Sequence, residues 1–426
     1  MPAWTAVAPA DPADLPAAAD QSWWREARFG MFIHWGPVSL RGTEIGWSRG
    51  DPVPIEEYDS LYKRFNPIEF DARQWVRIAR GAGMRYIVLT TKHHDGFCLW
   101  DSALTDYDIM STPFARDVVA ELSAACRSEG IVFCAYHSIC DWRHPDYPLG
   151  SPGGKTRKAD ARMDRYVDYL KGLLTELLTK YGPLGILWFD GEWEEPWTEE
   201  LGRDLYRYCR TLQPSLIINN RVAKARQGMT GTSASGHFSG DYDTPEQEVG
   251  RFQTDRPWES CITLCQQWAW KPDDAMKSLE ACIGVLVNCA GGDGNLLLNV
   301  GPMPSGAIEP RQTRRLAEIG RWFESNEASI RGTRGGPWRP GEWGASTHRD
   351  RDIYLHVLSP PADGVVRLAP IPRRIVRAER LDGTKVDVIA TASGLAVHLR
   401  TSATIDAVIH LTLDEALNSS VPNGRL

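Results

Sequence analysis

The sequence contains no Cys-x-x-Cys pair and no even set of cysteines; its nine cysteines are scattered. That excludes a disulfide framework and the commonest zinc folds, and reads as reduced thiols buried as small apolar residues. Such usage favours a reducing compartment. Residues 1–20 are rich in Ala, Pro and Asp and lack a basic start followed by an apolar stretch. No secretory signal is read there, and a cytoplasmic location is expected. No run of about 18 apolar residues occurs, so no membrane-spanning helix is expected. Positive charge is not in excess. Lys and Arg number 48 against 55 Asp and Glu, a net charge of -7. A nucleic acid or an anionic membrane is therefore not expected as a partner. There is no Gly-rich phosphate loop, no His-x-His and no His-Glu-x-x-His, so phosphate cradles and helix-borne zinc sites lack a sequence basis. Low-complexity segments and repeats of 20 to 50 residues are also missing.

The 426 residues, 42% hydrophobic and 24% charged, are those of a globular chain large enough for a catalytic domain and a smaller one. Tryptophan (17) and glycine (38) are abundant, and many of the indoles stand beside polar residues, as carbohydrate sites require. After a leader at 1–20, short apolar runs alternate with amphipathic helical segments. Strands are predicted at 28–35, 85–91, 131–137, 184–190, 216–219, 261–264 and 295–300. Helices are predicted at 71–80, 117–129, 160–181, 198–212, 274–289 and 310–329. This alternation predicts parallel strands with helical crossovers. The natural closure is an α/β fold, a (β/α)8-like barrel over 21–334 with its chemistry at the carboxyl ends of the strands. With about seven strands in view, that barrel is expected to be irregular. From Gly335 to 415 only short alternating strands separated by Gly, Pro and Asp remain. They predict a small antiparallel β-sandwich, followed by a frayed tail at 416–426.

The most informative stretch is Leu187-Trp188-Phe189-Asp190-Gly191-Glu192-Trp193. A buried strand there delivers a carboxylate, Asp190, between two indoles. That is how an enzyme presents a nucleophile to a sugar, because indole faces stack on the C–H faces of pyranose rings. Other predicted strands also end in polar groups: His34 on the first, His93 and His94 on the second, His137 on the third, Asn219 to Arg221 on the fifth. A lone strand-end histidine is usually structural, but four imidazoles and an Asp at converging ends point to a site. A metal centre from His34, His93, His94 and Asp190 is disfavoured, because adjacent side chains on an extended chain face opposite ways. Retaining sugar hydrolysis needs a second carboxyl about 5–5.5 Å from the first. The candidates lie in the acidic loop 240–248 and in Pro257-Trp258-Glu259.

Assembled, the motifs FGMFIHWGP (29–37), YIVLTTKHHDGF (86–97), YHSICDW (136–142), LWFDGEW (187–193), INNR (218–221), TPEQ (244–247), PWE (257–259) and GNLLLNVGP (294–302) resemble the glycoside hydrolase family 29 α-L-fucosidases. The resemblance runs from about Trp23 to Trp338, and the sandwich fits that family's architecture. It implies an exo-acting retaining glycosidase that removes terminal α-L-fucose from fucosylated oligosaccharides without a metal or cofactor. It makes Asp190 the nucleophile. His34, His93, His94, Trp188 and Arg221 match positions that hold the sugar, and His137 stands where the family has Tyr or His. Glu44 matches a sugar-contacting Glu. The residue after it, often Trp, is Ile45 here, with Trp47 two further on. Glu246 is the expected acid/base and Glu259 the second choice. Rival readings are a metal-dependent hydrolase, a carbohydrate-binding protein on a decayed barrel, and an α-L-galactosidase. A homo-oligomer is compatible with the sequence but not specified by it.

Overall fold

The computed structural model describes residues 19–391, 393–399 and 405–417. Residues 1–18 of the expected leader and 418–426 of the expected tail lie outside the described residues.

Parallel strands β1 (Phe29–Ile33), β2 (Tyr86–Lys92), β3 (Val132–Ser138), β4 (Ile186–Asp190) and β5 (Ile217–Ile218) follow one another. After a short hairpin, β6 (Arg226–Gln227) and β7 (Thr232–Ser233), come β8 (Glu259–Thr263) and β9 (Asn295–Val300). Seven of them form one curled parallel sheet in the order β5-β4-β3-β2-β1-β9-β8. The gap between its two edges is filled by residues 241–246, which lack regular strand geometry. Tyr242 bridges to Asn219 on one edge, while Asp243 and Glu246 bridge to Trp258 and Cys261 on the other. Gly240 makes this passage possible: its φ is +57°, and a Cβ there would lie 2.4 Å from the Asn219 carbonyl oxygen. The expected irregularity is this unstranded eighth position.

The helices are α1 (Ser22–Ala27), α2 (Ile55–Ser60), α3 (Ala72–Gly81), α4 (Val118–Glu129), α5 (Met163–Lys180), α6 (Glu199–Leu212), α7 (Leu279–Gly291) and α8 (Pro310–Ile330). Four of them, α3, α4, α6 and α7, start at a side-chain cap. Asp71, Asp117, Thr198 and Ser278 accept from backbone N–H groups three residues on. α7 begins at Leu279 rather than near Asp274, because the Asp274 carboxylate instead accepts from the Gln266, Gln267 and Ala275 amides and orders the preceding loop.

Strand alternation divides the core into two layers. Met31, Ile33, Ile87, Leu89, Phe133, Leu187, Phe189 and Leu298 face the helices. Phe32, Tyr86, Val88, Tyr136, Ile186, Trp188, Cys261 and Leu297 fill the interior of the curl, where Trp24 from α1 joins them.

The C-terminal region adds β10 (Arg334–Gly335), β11 (Gly344–Arg349), β12 (Asp352–Val357), β13 (Val365–Leu368), β14 (Ile375–Arg380), β15 (Asp387–Thr391), β16 (Gly394–His398) and β17 (Ala407–Leu413). They form antiparallel sheets in the orders β10-β11-β12-β17-β14 and β13-β16-β15. Ile353, Leu355, Ile409 and Leu411 of one sheet share a core with Val366, Leu368, Leu395 and Val397 of the other. β11, Gly-Ala-Ser-Thr-His-Arg, carries little strand signal. Its small residues are set by proximity to α7, where a Cβ on Gly291 would lie 2.5 Å from Ala345 Cβ. Asp293 ties the two parts together, accepting from Arg28 (2.6 Å), Arg25 (2.9 Å) and the Gly335 amide (3.0 Å).

Candidate active site

The carboxyl ends of β1 to β4 open on a cavity of about 220 Å³. That is small beside the ~300–1,000 Å³ of typical drug-sized pockets. Its walls include Phe32, His34, His93, Tyr136, Trp188, Asp190, Arg221, Glu246 and Trp268.

Asp190 ends β4 with its side chain turned inward. Gly191 then turns the chain with φ +101°, where a Cβ would lie 2.4 Å from Cys140 Sγ. Asp190 Oδ1 accepts from Arg221 Nη1 (2.8 Å), and Oδ2 accepts from the Tyr136 hydroxyl (3.0 Å). Burial pushes the Asp190 carboxyl up, but Arg221 outweighs it, and the group sits below the usual carboxylate value. Arg221 is the junction of the site. Its Nε donates to Thr244 Oγ1 (2.9 Å) and its Nη2 to Glu246 Oε2 (2.7 Å). Its guanidinium lies 4.4 Å from the Trp188 ring centroid. One planar fork thus carries both expected catalytic carboxylates. Arg226 reaches the same Glu246 oxygen (3.1 Å).

The histidines are held as neutral rings. Asn299 gives its amide N–H to the Trp268 carbonyl (2.8 Å), so its Oδ1 accepts from His34 Nδ1 (2.6 Å). Ser138 Oγ donates to the Cys140 carbonyl (2.9 Å) and so accepts from His94 Nδ1 (2.6 Å). That network assigns the proton to Nδ1 in both rings and leaves each Nε2 as an acceptor. His94 Nε2 lies 3.6 Å from Asp190 Oδ2. Burial pushes His34 down to about 3, His94 down to about 4 and His93 well below its ordinary value. His93 and His94 both reach this region because the chain leaves β2 at Lys92 and turns, the Gly96 amide donating to the His93 carbonyl at 3.1 Å. His93 stacks on Tyr136 with ring centroids 5.2 Å apart.

Three expectations are corrected. His137 does not face the cavity. Alternation on β3 turns Tyr136 inward and His137 outward, where its Nδ1 lies 3.5 Å from Thr91 Oγ1 and its ring faces Trp100. Glu259 is fully buried at the amino end of β8, accepting from Trp24 Nε1 (3.1 Å) and from the Tyr86 hydroxyl. The catalytic-side strand ends are at the other end of the barrel, so it has no access to a leaving group. Glu44 does not line the cavity. Its carboxylate accepts from the Trp268 and Ala269 amides (both 3.0 Å), and so holds Trp268 against the His34 ring, 4.8 Å away. Trp47 does reach the mouth, 42% exposed and stacked on Trp193 with centroids 6.0 Å apart.

This geometry can be set beside known proteins. The family model described as alpha-L-fucosidase matches residues 8–328. A curated relative, tissue alpha-L-fucosidase from Mus musculus, is 31% identical over 379 residues, covering 82% of this chain and 80% of that protein. The chain belongs to the α-L-fucosidase family. It is therefore a glycoside hydrolase of family 29. Among solved structures, alpha-L-fucosidase isoenzyme 1 from Paenibacillus thiaminolyticus superposes with a TM-score of 0.81 at 34% identity, covering 93% of this chain and 99% of that one. A family 29 fucosidase from Bacteroides thetaiotaomicron, trapped as a covalent intermediate with 2-fluoro-fucosyl fluoride, gives 0.83 at 26% identity over 92% and 95% of the two chains.

Within this family member, several site residues escaped the sequence reading. Tyr136 was legible through strand period, as the neighbour of a residue already singled out. Glu192 stands inside the Asp190 motif itself, beside Trp193, whose indole the sequence already placed at the rim of Asp190. Arg226, in the two-residue strand β6, and Met229 and Trp268, in loops, carry no periodic signal, and only folding brings them to the cavity.

Proposed function

We propose that the protein is an exo-acting, retaining α-L-fucosidase that works by double displacement. The observation that carries this reading is the Arg221 fork, with Asp190 on one arm and Glu246 on the other over a cavity sized for a single sugar ring. Asp190, kept ionised by Arg221 and Tyr136, attacks the anomeric carbon, and the bond to the leaving oxygen breaks. Glu246, protonated, gives that oxygen its proton and afterwards takes one from the incoming water, which releases fucose and restores Asp190. The neutral His34 and His94 rings present acceptor nitrogens suited to sugar hydroxyls. Trp188, Phe32 and Trp268 supply apolar walls suited to the C6 methyl group. Fucosylated oligosaccharides are the proposed substrates. Nine buried, unpaired cysteines support a cytoplasmic setting; activity recovered only outside cells would contradict it.

The test is hydrolysis of 4-nitrophenyl α-L-fucoside. Asp190→Gly should lower turnover by orders of magnitude with the fold retained, and near wild-type rates would overturn the nucleophile. Glu246→Ala should regain activity with azide and yield α-fucosyl azide, because azide attacks the β-linked fucosyl-Asp190 intermediate and inverts it a second time. β-Fucosyl azide as the product of that variant would overturn retention. Comparable turnover of the matching α-L-galactoside would show that the methyl wall confers no specificity.

A further inference from the structure

A third carboxylate belongs to the same charge cluster. Glu192 follows Asp190 by two residues and is buried. Its Oε1 lies 3.5 Å from Arg226 Nη1, and its Oε2 is buried with no partner in the protein. Arg226, itself only 8% exposed, holds Glu246 Oε2 with Nη2 at 3.1 Å. One guanidinium therefore links Glu192 to the acid/base, as Arg221 links Asp190 to it.

The groups facing this cluster come from several elements. β4 and its exit turn bring Asp190 and Glu192, the turn after β5 brings Arg221, and the β6 hairpin brings Arg226. The loop before β8 brings Glu246, and β8 brings the Cys261 thiol, raised by burial. Lys224 lies at the edge, its ammonium on the Glu194 carbonyl (2.6 Å); it feels the Glu192 charge first, then Glu194 and Glu195, but is in ion-pair contact with none of the three cluster carboxyls. His34, His93 and His94 contribute no charge at neutral pH. In direct contact, the account is thus two guanidiniums against three carboxyls.

Charge balance then decides where protons stay. With only Asp190 and Glu246 present, two guanidiniums would match two carboxylates, and both would remain ionised. The cluster would then hold no proton to give. A third carboxylate leaves one excess negative charge. At low effective dielectric that excess is relieved by binding one proton, which is then held to higher pH. One proton on the cluster, with Asp190 ionised, is the state from which double displacement starts.

We propose that Glu192, acting through Arg226, is a positioning residue that keeps one proton on this cluster and so sets the basic limb of the pH profile. The proposal rests on the fucosidase reading and on Glu246 as acid/base. Burial, offset in part by Arg221, also pushes the Glu192 carboxyl up to about 7.

The experiment is the pH dependence of kcat/KM on 4-nitrophenyl α-L-fucoside for wild type, Glu192→Gln and Arg226→Met, with thermal melting to check each fold. Removing the Glu192 charge should move the basic limb to lower pH by about one unit or more, the size of a buried-charge effect on a neighbour. Removing Arg226 should move it the other way. An unmoved limb in Glu192→Gln, or shifts of the same sign in both variants, would overturn the proposal. So would an inactive Glu192→Gln rescued by azide, since Glu192 would then be the acid/base itself. If Glu192→Gln does not fold, the direction of the Arg226→Met shift decides. Wild-type enzyme that releases no fucose would instead sink the fucosidase reading, an outcome separable from all of these.

Discussion

Replacing Tyr136 by Phe removes one oxygen and little else. The ring stacks on His93 (5.2 Å) and Trp188 (5.6 Å) and is buried, contacts that Phe preserves. What is lost is the 3.0 Å hydrogen bond to Asp190 Oδ2. A hydrogen bond to a charged group contributes about 1.5–3 kcal/mol, and one pKa unit corresponds to about 1.36 kcal/mol. The bond favours ionised Asp190, so its loss raises that carboxyl by roughly 1–2 units. Asp190 attacks only when ionised, and the acid limb of kcat/KM therefore moves to higher pH by about that amount. Arg221 still pairs with Asp190 at 2.8 Å, so a plateau of activity should survive above the limb. The assay is kcat/KM from acid to neutral pH, with His137→Asn as control, because that side chain faces the helices. An acid limb that stays put in Tyr136→Phe, or moves as far in His137→Asn, would refute the assignment of faces on β3.

Glu259→Gln should behave as a stability variant. Burial raises the folded Glu259 carboxyl to about 7, so its contribution is full below the unfolded value near 4.5 and is lost as pH rises through 7. The neutral amide should then melt higher than wild type at pH 8, by up to ~3 kcal/mol in unfolding free energy, and azide should not change its activity; a lower melting point at pH 8 would contradict this. For His34 and His94 the folded values are depressed to about 3 and about 4. The stability present above the unfolded value near 6.5 therefore declines as pH falls from there through 4 and 3. Melting curves from pH 7 to 4 should show this slope, and His94→Gln should flatten it; an equal slope would count against neutral burial. Leu355→Ala removes a fully buried side chain from between the C-terminal sheets and should cost about 2–5 kcal/mol. Denaturant titration checks this, and a loss under ~1 kcal/mol would mean those sheets share no packed core.

Much of this molecule follows from local chemistry. Short apolar runs marked the barrel strands, hydrophobic period near four marked the helices, and the helix starts at Asp71, Asp117 and Thr198 are capped by those side chains in the structure. These signals act over a few residues, and a side chain's neighbours in sequence are enough to produce them. Asp190 at the end of an apolar strand beside Trp188 was legible for the same reason. The motif order carried the family.

Tertiary structure decided the rest, because it pairs residues far apart in the chain. Tyr136 and His137 are equally polar neighbours, and only the direction of curl makes one of them interior. Residues 241–246 read as part of an acidic loop, with no strand signal, yet they fill the open edge of the sheet through bridges to Asn219, Trp258 and Cys261. Glu259 and Glu246 are similar in sequence context. Their fates differ because one begins a strand and the other lies at the mouth, and a barrel places those two ends on opposite sides. The arginines that bind the carboxylates into one cluster come from loops whose positions depend on everything packed beneath them. Sequence supplied the ionisable groups, and the fold set their separations, on which their protonation depends.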